Sequence, residues 1–144
     1  MCYVLDETPE KTNLISKVAS RYGLTAFRTN SKVEQAGAPL AERVQPPLEQ
    51  WLRSIRDAKM VISDSFHASV FSILFGKPFI VTGNPDRGIA RLQSLLSMLG
   101  LEEHLVLNTG QLNNDCDYSL SPTSYDRWES VRQTSIDFLR QALA

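Results

Sequence analysis

A histidine shortly after a run of three polar residues is the residue of this chain best suited to acid–base chemistry. His67 follows Ser63-Asp64-Ser65, with Phe66 between the run and the imidazole. Its unperturbed pKa of about 6.5 lets an imidazole donate a hydrogen bond to an anion or act as a general acid near neutral pH. Apolar residues follow, and a helix there would place His67 in its first turn. Because helix N-termini attract phosphate and carboxylate, this turn predicts an anion-binding site.

A second polar segment follows the next apolar run. It contains Asn84, Arg87, Gly88 and Arg91. The two arginines are four residues apart, so they share one face of a helix and can offer planar donors to a carboxylate or phosphate. Gly88 permits close approach of backbone or ligand. The segment is therefore a second candidate for binding an anionic ligand.

Both segments also have a purely structural interpretation. Asp64 or Ser65 would then only cap the helix, His67 would be an ordinary structural residue, and the arginines would be ordinary surface residues. The chain has no Gly-rich phosphate loop of either common type, so dinucleotide or nucleoside triphosphate binding is not favoured. Its carboxylates have no spacing typical of a glycosidase or a metal site, and no metal is expected.

The other residues whose side chains could take part in catalysis or binding are assigned structural roles. His104 follows two glutamates and is predicted to lie on the surface. Trp51 and Trp128 lie on apolar helical faces and are predicted to belong to the core. Cys2 and Cys116 have no metal spacing, so we expect reduced thiols.

Strands and helices are predicted to alternate along the chain. Predicted strands cover residues 2–5, 24–27, 60–63, 79–82 and 105–107. Predicted helices begin near residues 9, 46, 65, 89 and 122, and residues 29–41 and 108–121 are predicted loops. This order favours a Rossmann-like, doubly wound domain: a mainly parallel sheet of about five strands with helices on both faces. In such a sheet ligands bind at the carboxyl ends of the strands, where both polar segments would lie.

The length and composition of the chain predict one ordinary globular domain over residues 1–144. Hydrophobic residues make up 42% of the chain, charged residues 22%, and the net charge is −1. This balance does not favour nucleic acid as a partner. The first residues lack the features of a signal peptide, so a cytoplasmic location is expected. Because the chain begins on a strand-like run, it is either a compact five-stranded domain or the second half of a larger protein.

The segment from Pro46 to Val106 resembles the C-terminal part of the polysaccharide pyruvyl transferase family. The resemblance rests on an ordered set of motifs. A helix ends in Ala58-Lys59 before a strand, Ser65-Phe66-His67 opens an apolar helix, and Lys77-Pro78 starts the next strand. The RG..R segment of residues 87–91 and an LL..LGL helix complete the set. Residues 3–29 match the strand–helix–strand that precedes it.

The resemblance implies an enzyme that moves a pyruvyl group from phosphoenolpyruvate to a sugar hydroxyl in exopolysaccharide or capsule biosynthesis. The implied fold is one half of a two-domain, GT-B-like arrangement, so the partners would be phosphoenolpyruvate, a saccharide acceptor and a missing N-terminal domain. No cofactor is implied beyond the donor substrate. The enzyme would work on the periphery of membrane-bound glycan assembly.

The family histidine corresponds to His67, which the resemblance implies contacts or protonates the donor. Relatives that have Arg-Leu-His carry an arginine where this chain has Ser65, so Arg87 or Arg91 is expected to supply that charge. We expect the donor site to comprise Ser63, Asp64, Ser65, Phe66, Asn84, Arg87, Gly88 and Arg91. Two other interpretations remain open: a nucleotide-sugar-binding domain of a GT-B glycosyltransferase, and a non-catalytic assembly domain.

Overall fold

A small parallel sheet with helices around it forms the domain. The computed structural model describes residues 1–32, 36–83 and 88–143. The three strands are β1 (Cys2–Tyr3), β2 (Val61–Ser63) and β3 (Phe79–Val81). They pair in the order β1-β2-β3, with both neighbouring pairs parallel.

Six α-helices are described, and most begin and end at the predicted signals. They are α1 (Pro9–Arg21), α2 (Leu40–Arg43), α3 (Leu48–Asp57), α4 (Phe66–Leu74), α5 (Ile89–Leu99) and α6 (Pro122–Leu143). Thr8 caps α1 through its side chain, with Pro9 in the first turn, and α5 ends at Gly100 in the left-handed region, as helix-boundary chemistry predicts. Two short 3₁₀ turns follow, Glu102–His104 and Thr109–Gln111.

The sheet has three strands rather than the five that were predicted. Residues 24–27 form no strand, but the next residue, Arg28, makes an isolated parallel bridge to Cys2. On the other side Leu105 makes an isolated parallel bridge to Val81, and the Val106 N–H donates to the Val81 carbonyl at 2.8 Å. The two outer segments therefore lie beside the sheet, one on each side, but pair too briefly to form strands.

Helices pack on both faces of this sheet, as predicted. On one face Val61, Phe79 and Val81 join side chains from α3, α4 and α5 in one buried cluster. On the opposite face Ile62 and Ile80 join the buried stripe of α1 in a second cluster. Strand residues thus alternate between the two cores, as side chains of a strand buried on both faces must.

Two predictions about single elements are wrong. The predicted loop over residues 29–41 includes the start of a short helix, α2, which begins at Leu40 directly after Pro39. His104, predicted on the surface, is 1% exposed. Its Nδ1 lies 2.9 Å from the Phe79 carbonyl oxygen, and its ring packs against Phe79 and Tyr118.

His104 is buried because it completes the outer edge of β3. The Phe79 N–H donates to the Tyr118 carbonyl at 3.0 Å, and the Phe79 carbonyl accepts from His104. These two contacts supply what a fully formed neighbouring strand would supply. The other structural assignments agree with the prediction: Trp51 and Trp128 pack against the first cluster and both cysteines are free thiols.

The order of the extended segments places a switch point between β1 and β2. From β1 the chain goes outward to Arg28 on one side, and then crosses to β2 on the other side of β1. In doubly wound sheets the crevice outside the carboxyl ends of the strands at such a point is the usual ligand site. The loop after β1 and the turn after β2 face each other there.

Candidate functional site

The first turn of α4 follows the polar turn after β2 and carries the first backbone N–H groups of the helix. Ser65 is the N-cap residue with an extended backbone, and its own side chain makes no capping hydrogen bond. The backbone N–H groups of Phe66, His67 and Ala68 have no acceptor within the helix, as at any helix start. Together with the helix dipole they give this end a partial positive charge.

His67 and Arg91 are both placed at this end of α4 by one aromatic ring. The Phe66 ring meets the His67 imidazole edge-on, with ring centroids 6.0 Å apart. The Arg91 guanidinium carbon lies 5.7 Å from the centroid of the same Phe66 ring, a cation–π distance. Both charged or chargeable side chains are exposed. The structure therefore brings together three of the predicted site residues, from α4 and α5.

Gly88 supports this arrangement by leaving room for Arg91. Gly88 is the N-cap of α5 and has a φ of 68°, in the left-handed region. A Cβ at this position would lie 2.9 Å from Arg91 Nη2. The Arg91 side chain thus folds back over the glycine toward Phe66. Beside it a groove of about 410 Å³ runs along Phe66, Ala90, Arg91, Ser94, Leu95 and Met98.

Replacing Gly88 by alanine is expected to destabilise the fold by about 1–2 kcal/mol, the cost of the left-handed conformation for a residue with a Cβ. The clash itself is relieved by swinging the Arg91 guanidinium away, which breaks the Phe66 contact. Urea denaturation measures the first effect. Gly37→Ala is the matched control, because Gly37 has no atom within 4 Å of an added Cβ and no positive φ. Equal stability losses in the two variants would contradict the prediction.

Ser63 and Asp64 are held by the chain itself. The Ser63 hydroxyl donates to the Tyr3 carbonyl at 2.5 Å and accepts the Ser65 N–H at 3.0 Å. The Asp64 carboxylate accepts the N–H groups of Leu5 and Asp6 and forms an ion pair with Lys11. Their predicted contact with a donor stays a prediction, and their visible role is to fix the turn before α4.

Asn84 and Arg87 lie outside the described residues, so their predicted role stays a prediction. Two polar residues of this edge were not singled out by the sequence: Lys11 and Thr82. Thr82 directly follows β3 and is fully buried, and its Oγ1 has no hydrogen-bond partner in the described part of the chain. Lys11 could have been found from its spacing, since it shares a helix face with Leu14, Ile15 and Val18.

Neither a metal cluster nor a membrane-spanning helix is found in the part of the chain that the structure describes. No group of three or more His, Cys, Asp or Glu side chains within residues 1–32, 36–83 and 88–143 could hold a metal ion. Over the same ranges, every helix is too short or too polar to cross a bilayer.

A family model for polysaccharide pyruvyl transferase matches residues 2–87, which is more than half of the chain. The chain belongs to this family. No curated protein and no solved structure gives a significant match. The matched range includes β1, β2, β3 and the His67 turn. It covers the strand–helix–strand of residues 3–29 that the resemblance included, and it ends at residue 87 rather than at Val106.

Proposed function

We propose that this chain is the donor-binding domain of a pyruvyl transferase that moves a pyruvyl group from phosphoenolpyruvate to a sugar hydroxyl. The proposal extends to exopolysaccharide or capsule biosynthesis as the process it serves. Family membership supports the transferase class. The choice of phosphoenolpyruvate rests on the site, because this donor carries both a phosphate and a carboxylate.

The observation that carries the proposal is the shared contact of His67 and Arg91 with Phe66. It places an exposed imidazole and an exposed guanidinium at the N-terminal end of α4. A helix N-terminus suits one anionic group, and a planar guanidinium suits a second one with two parallel hydrogen bonds. The groove along α5 extends from the same ring. A small dianionic or trianionic ligand therefore matches this surface.

The chemistry requires a proton donor beside the bound phosphoenolpyruvate. When a ketal forms, the methylene carbon gains a proton and becomes a methyl group. Two sugar hydroxyl oxygens bond to the central carbon, and the bond from that carbon to the phosphate oxygen breaks. The two sugar hydroxyls lose two protons in total. The new methyl group gains one proton and the departing phosphate gains the other. In this proposal His67 protonates phosphoenolpyruvate as the general acid or donates a hydrogen bond to it. Arg91 balances the negative charge of phosphoenolpyruvate.

The active enzyme in this proposal has a second domain that closes over the carboxyl edge of the sheet. The acceptor sugar would enter between the two domains of this GT-B-like arrangement, in the cytoplasm, at the periphery of membrane-bound glycan assembly. Leu5, in the loop that follows β1 at this edge, is an exposed apolar residue and supports a covering surface there.

Calorimetric titration with phosphoenolpyruvate tests the site. The unaltered chain is expected to bind it, and His67→Ala is expected to weaken binding about 10-fold or more, since a hydrogen bond to a charged group is worth about 1.5–3 kcal/mol. Arg53→Ala is the matched control for Arg91→Ala. Both arginines are exposed on helices, but Arg53 is near the end of α3 that leads into the opposite edge of the sheet.

Three results would argue against the proposal. Affinity for phosphoenolpyruvate that survives both His67→Ala and Arg91→Ala would remove the assigned roles. Stabilisation by UDP, GDP or CDP sugars, with none by phosphoenolpyruvate, would favour a nucleotide-sugar donor instead. The third result concerns a form that carries an upstream domain. If it transfers no pyruvate to any sugar in a broad acceptor screen, the proposed enzymatic activity is contradicted.

A further inference from the structure

The buried carboxylate of Asp64 is surrounded by donors from the loop that follows β1. Its Oδ1 accepts the Leu5 N–H at 2.7 Å, and its Oδ2 accepts the Asp6 N–H at 3.0 Å and lies 2.7 Å from Lys11 Nζ. Lys11 Nζ also donates to the Asp6 carbonyl at 2.8 Å. Only 2% of the Asp64 side chain and 7% of the Lys11 side chain are exposed.

This set of donors has the chemistry of a protein site for a small anion. Two consecutive backbone N–H groups after a strand, with a lysine from the first turn of the next helix, form a concave cluster of positive charge. The cluster lies at the carboxyl ends of β1 and β2, where the switch point of the sheet provides a ligand crevice. Here that crevice is filled from within, by a side chain of the turn after β2.

We propose that the loop between β1 and α1 is a carboxylate-binding site whose ligand is the chain's own Asp64, and that this internal ligand positions the His67 turn. The second half rests on the function proposed above. Asp64 is joined directly to Ser65, the N-cap of α4, so its two fixed oxygens set the direction in which α4 starts. Ser63, on the other side, is bonded to Tyr3 and so ties the same turn to β1. Asp64 and Lys11 are positioning residues and touch no substrate in this assignment.

Removing the internal carboxylate should open the site to an external one. Asp64→Ala leaves the Leu5 and Asp6 N–H groups and the Lys11 ammonium without their shared acceptor. Formate supplies a carboxylate of the lost size. In formate, the variant is expected to gain a few degrees in its thermal midpoint over the same ionic strength of sodium chloride, as a ligand of the folded state does. The unaltered chain should show no such gain.

Lys11→Met/Asp64→Ala is the control for the site. It removes the ammonium as well, so the gain from formate should be lost. If Asp64→Ala does not fold without formate, folding that returns in formate but not in sodium chloride of the same ionic strength is the expected result. Asp64→Asn should be insensitive to formate, because its amide fills the space. Absence of any formate-specific gain in Asp64→Ala, or an equal gain in the double variant, would overturn the carboxylate site.

The positioning role is tested by phosphoenolpyruvate binding to the same variants. Asp64→Ala is expected to bind it at least 5-fold more weakly, and formate should restore the affinity toward that of the unaltered chain measured in the same formate. A general loss of stability would not explain why formate restores phosphoenolpyruvate affinity in Asp64→Ala, which still contains Lys11. Unchanged affinity in Asp64→Ala would overturn the positioning role while leaving the carboxylate site intact. If the unaltered chain does not bind phosphoenolpyruvate at all, the proposed function fails, and the thermal shift in formate alone decides the carboxylate site.

Discussion

Replacing Lys11 by methionine is expected to lower the free energy of unfolding by about 3–5 kcal/mol, the usual cost of leaving one member of a buried ion pair without its partner. Methionine matches the length and most of the volume of the lysine side chain, so packing on the buried face of α1 is largely kept. What changes is the environment of Asp64, whose side chain is 2% exposed and loses its ammonium partner. Urea denaturation at neutral pH measures the loss.

A double-mutant cycle separates the interaction between Lys11 and Asp64 from the cost of burying each charge. Asp64→Asn and Lys11→Met/Asp64→Asn complete it. The double variant contains no buried charge at this position, so it is expected to be more stable than Lys11→Met, even though one backbone N–H loses its acceptor. Arg132→Met is the surface control, because the Arg132–Glu129 pair is exposed and such pairs contribute about 0–1 kcal/mol. A loss in Lys11→Met no larger than in Arg132→Met would contradict a tightly held buried pair.

The central part of the fold could be predicted because its signals are local. β2, α4 and β3 were predicted as a strand–helix–strand unit from an apolar strand, a polar turn, an apolar helix and a second apolar strand. The helix predicted to begin near residue 65 agrees with α4, which begins at Phe66. Since parallel strands carry their carboxyl ends to the same edge, the order of the elements also predicted that the His67 turn and the segment with Arg91 lie at one edge.

The outer parts of the sheet could not be predicted in the same way. An apolar run of three or four residues indicates a strand, but the length of pairing depends on neighbours that are distant in the chain. Residues 105–107 pair only briefly with Val81, and the edge of β3 at Phe79 is satisfied by His104 and Tyr118 instead. The two preceding glutamates gave His104 the local context of a surface residue, and no local pattern records that its acceptor is Phe79, 25 residues away.

Candidate site residues could be selected from the sequence, and their binding roles stay predictions; the contacts that support the His67 turn could not be predicted. Exposed His67 and Arg91 were selected by residue type and position. Asp64 was selected as a residue that contacts the donor, whereas its carboxylate is satisfied by Leu5, Asp6 and Lys11. These partners lie more than 50 residues earlier in the chain. Only the fold brings them to the turn, so a sequence pattern around Asp64 cannot distinguish a ligand contact from an internal one.

The second large effect concerns another buried ionisable residue, His104. Burial lowers the pKa of its imidazole below the ordinary value of 6.5, and the Phe79 carbonyl and nearby acidic side chains only partly oppose this. Since a carbonyl oxygen only accepts, the Nδ1 that faces Phe79 carries the proton of the neutral ring. Protonation in the folded state must therefore add a charge at Nε2, inside the packed side chains.

The sign of the pH dependence follows from this lowered pKa. Below pH 6.5 the histidine of the unfolded chain takes up a proton while the folded chain still resists it. The His104 contribution to stability is therefore full above pH 6.5 and is lost as the pH falls toward the lowered pKa, with a slope of at most about 1.4 kcal/mol per pH unit for one proton. Denaturation curves at pH 7.5 and pH 5.5 measure the difference.

Replacing His104 tests both its packing and its titration. His104→Ala is expected to cost about 2–4 kcal/mol at pH 7.5, because it empties a site between Phe79 and Tyr118 and leaves the buried Phe79 carbonyl without its donor. Its remaining stability should fall less between pH 7.5 and pH 5.5 than that of the unaltered chain. His67→Gln is the matched control, since the chain has 2 histidines and His67 is exposed. If His67→Gln flattens the pH dependence as much as His104→Ala does, the acid sensitivity does not come from the buried histidine at the edge of β3.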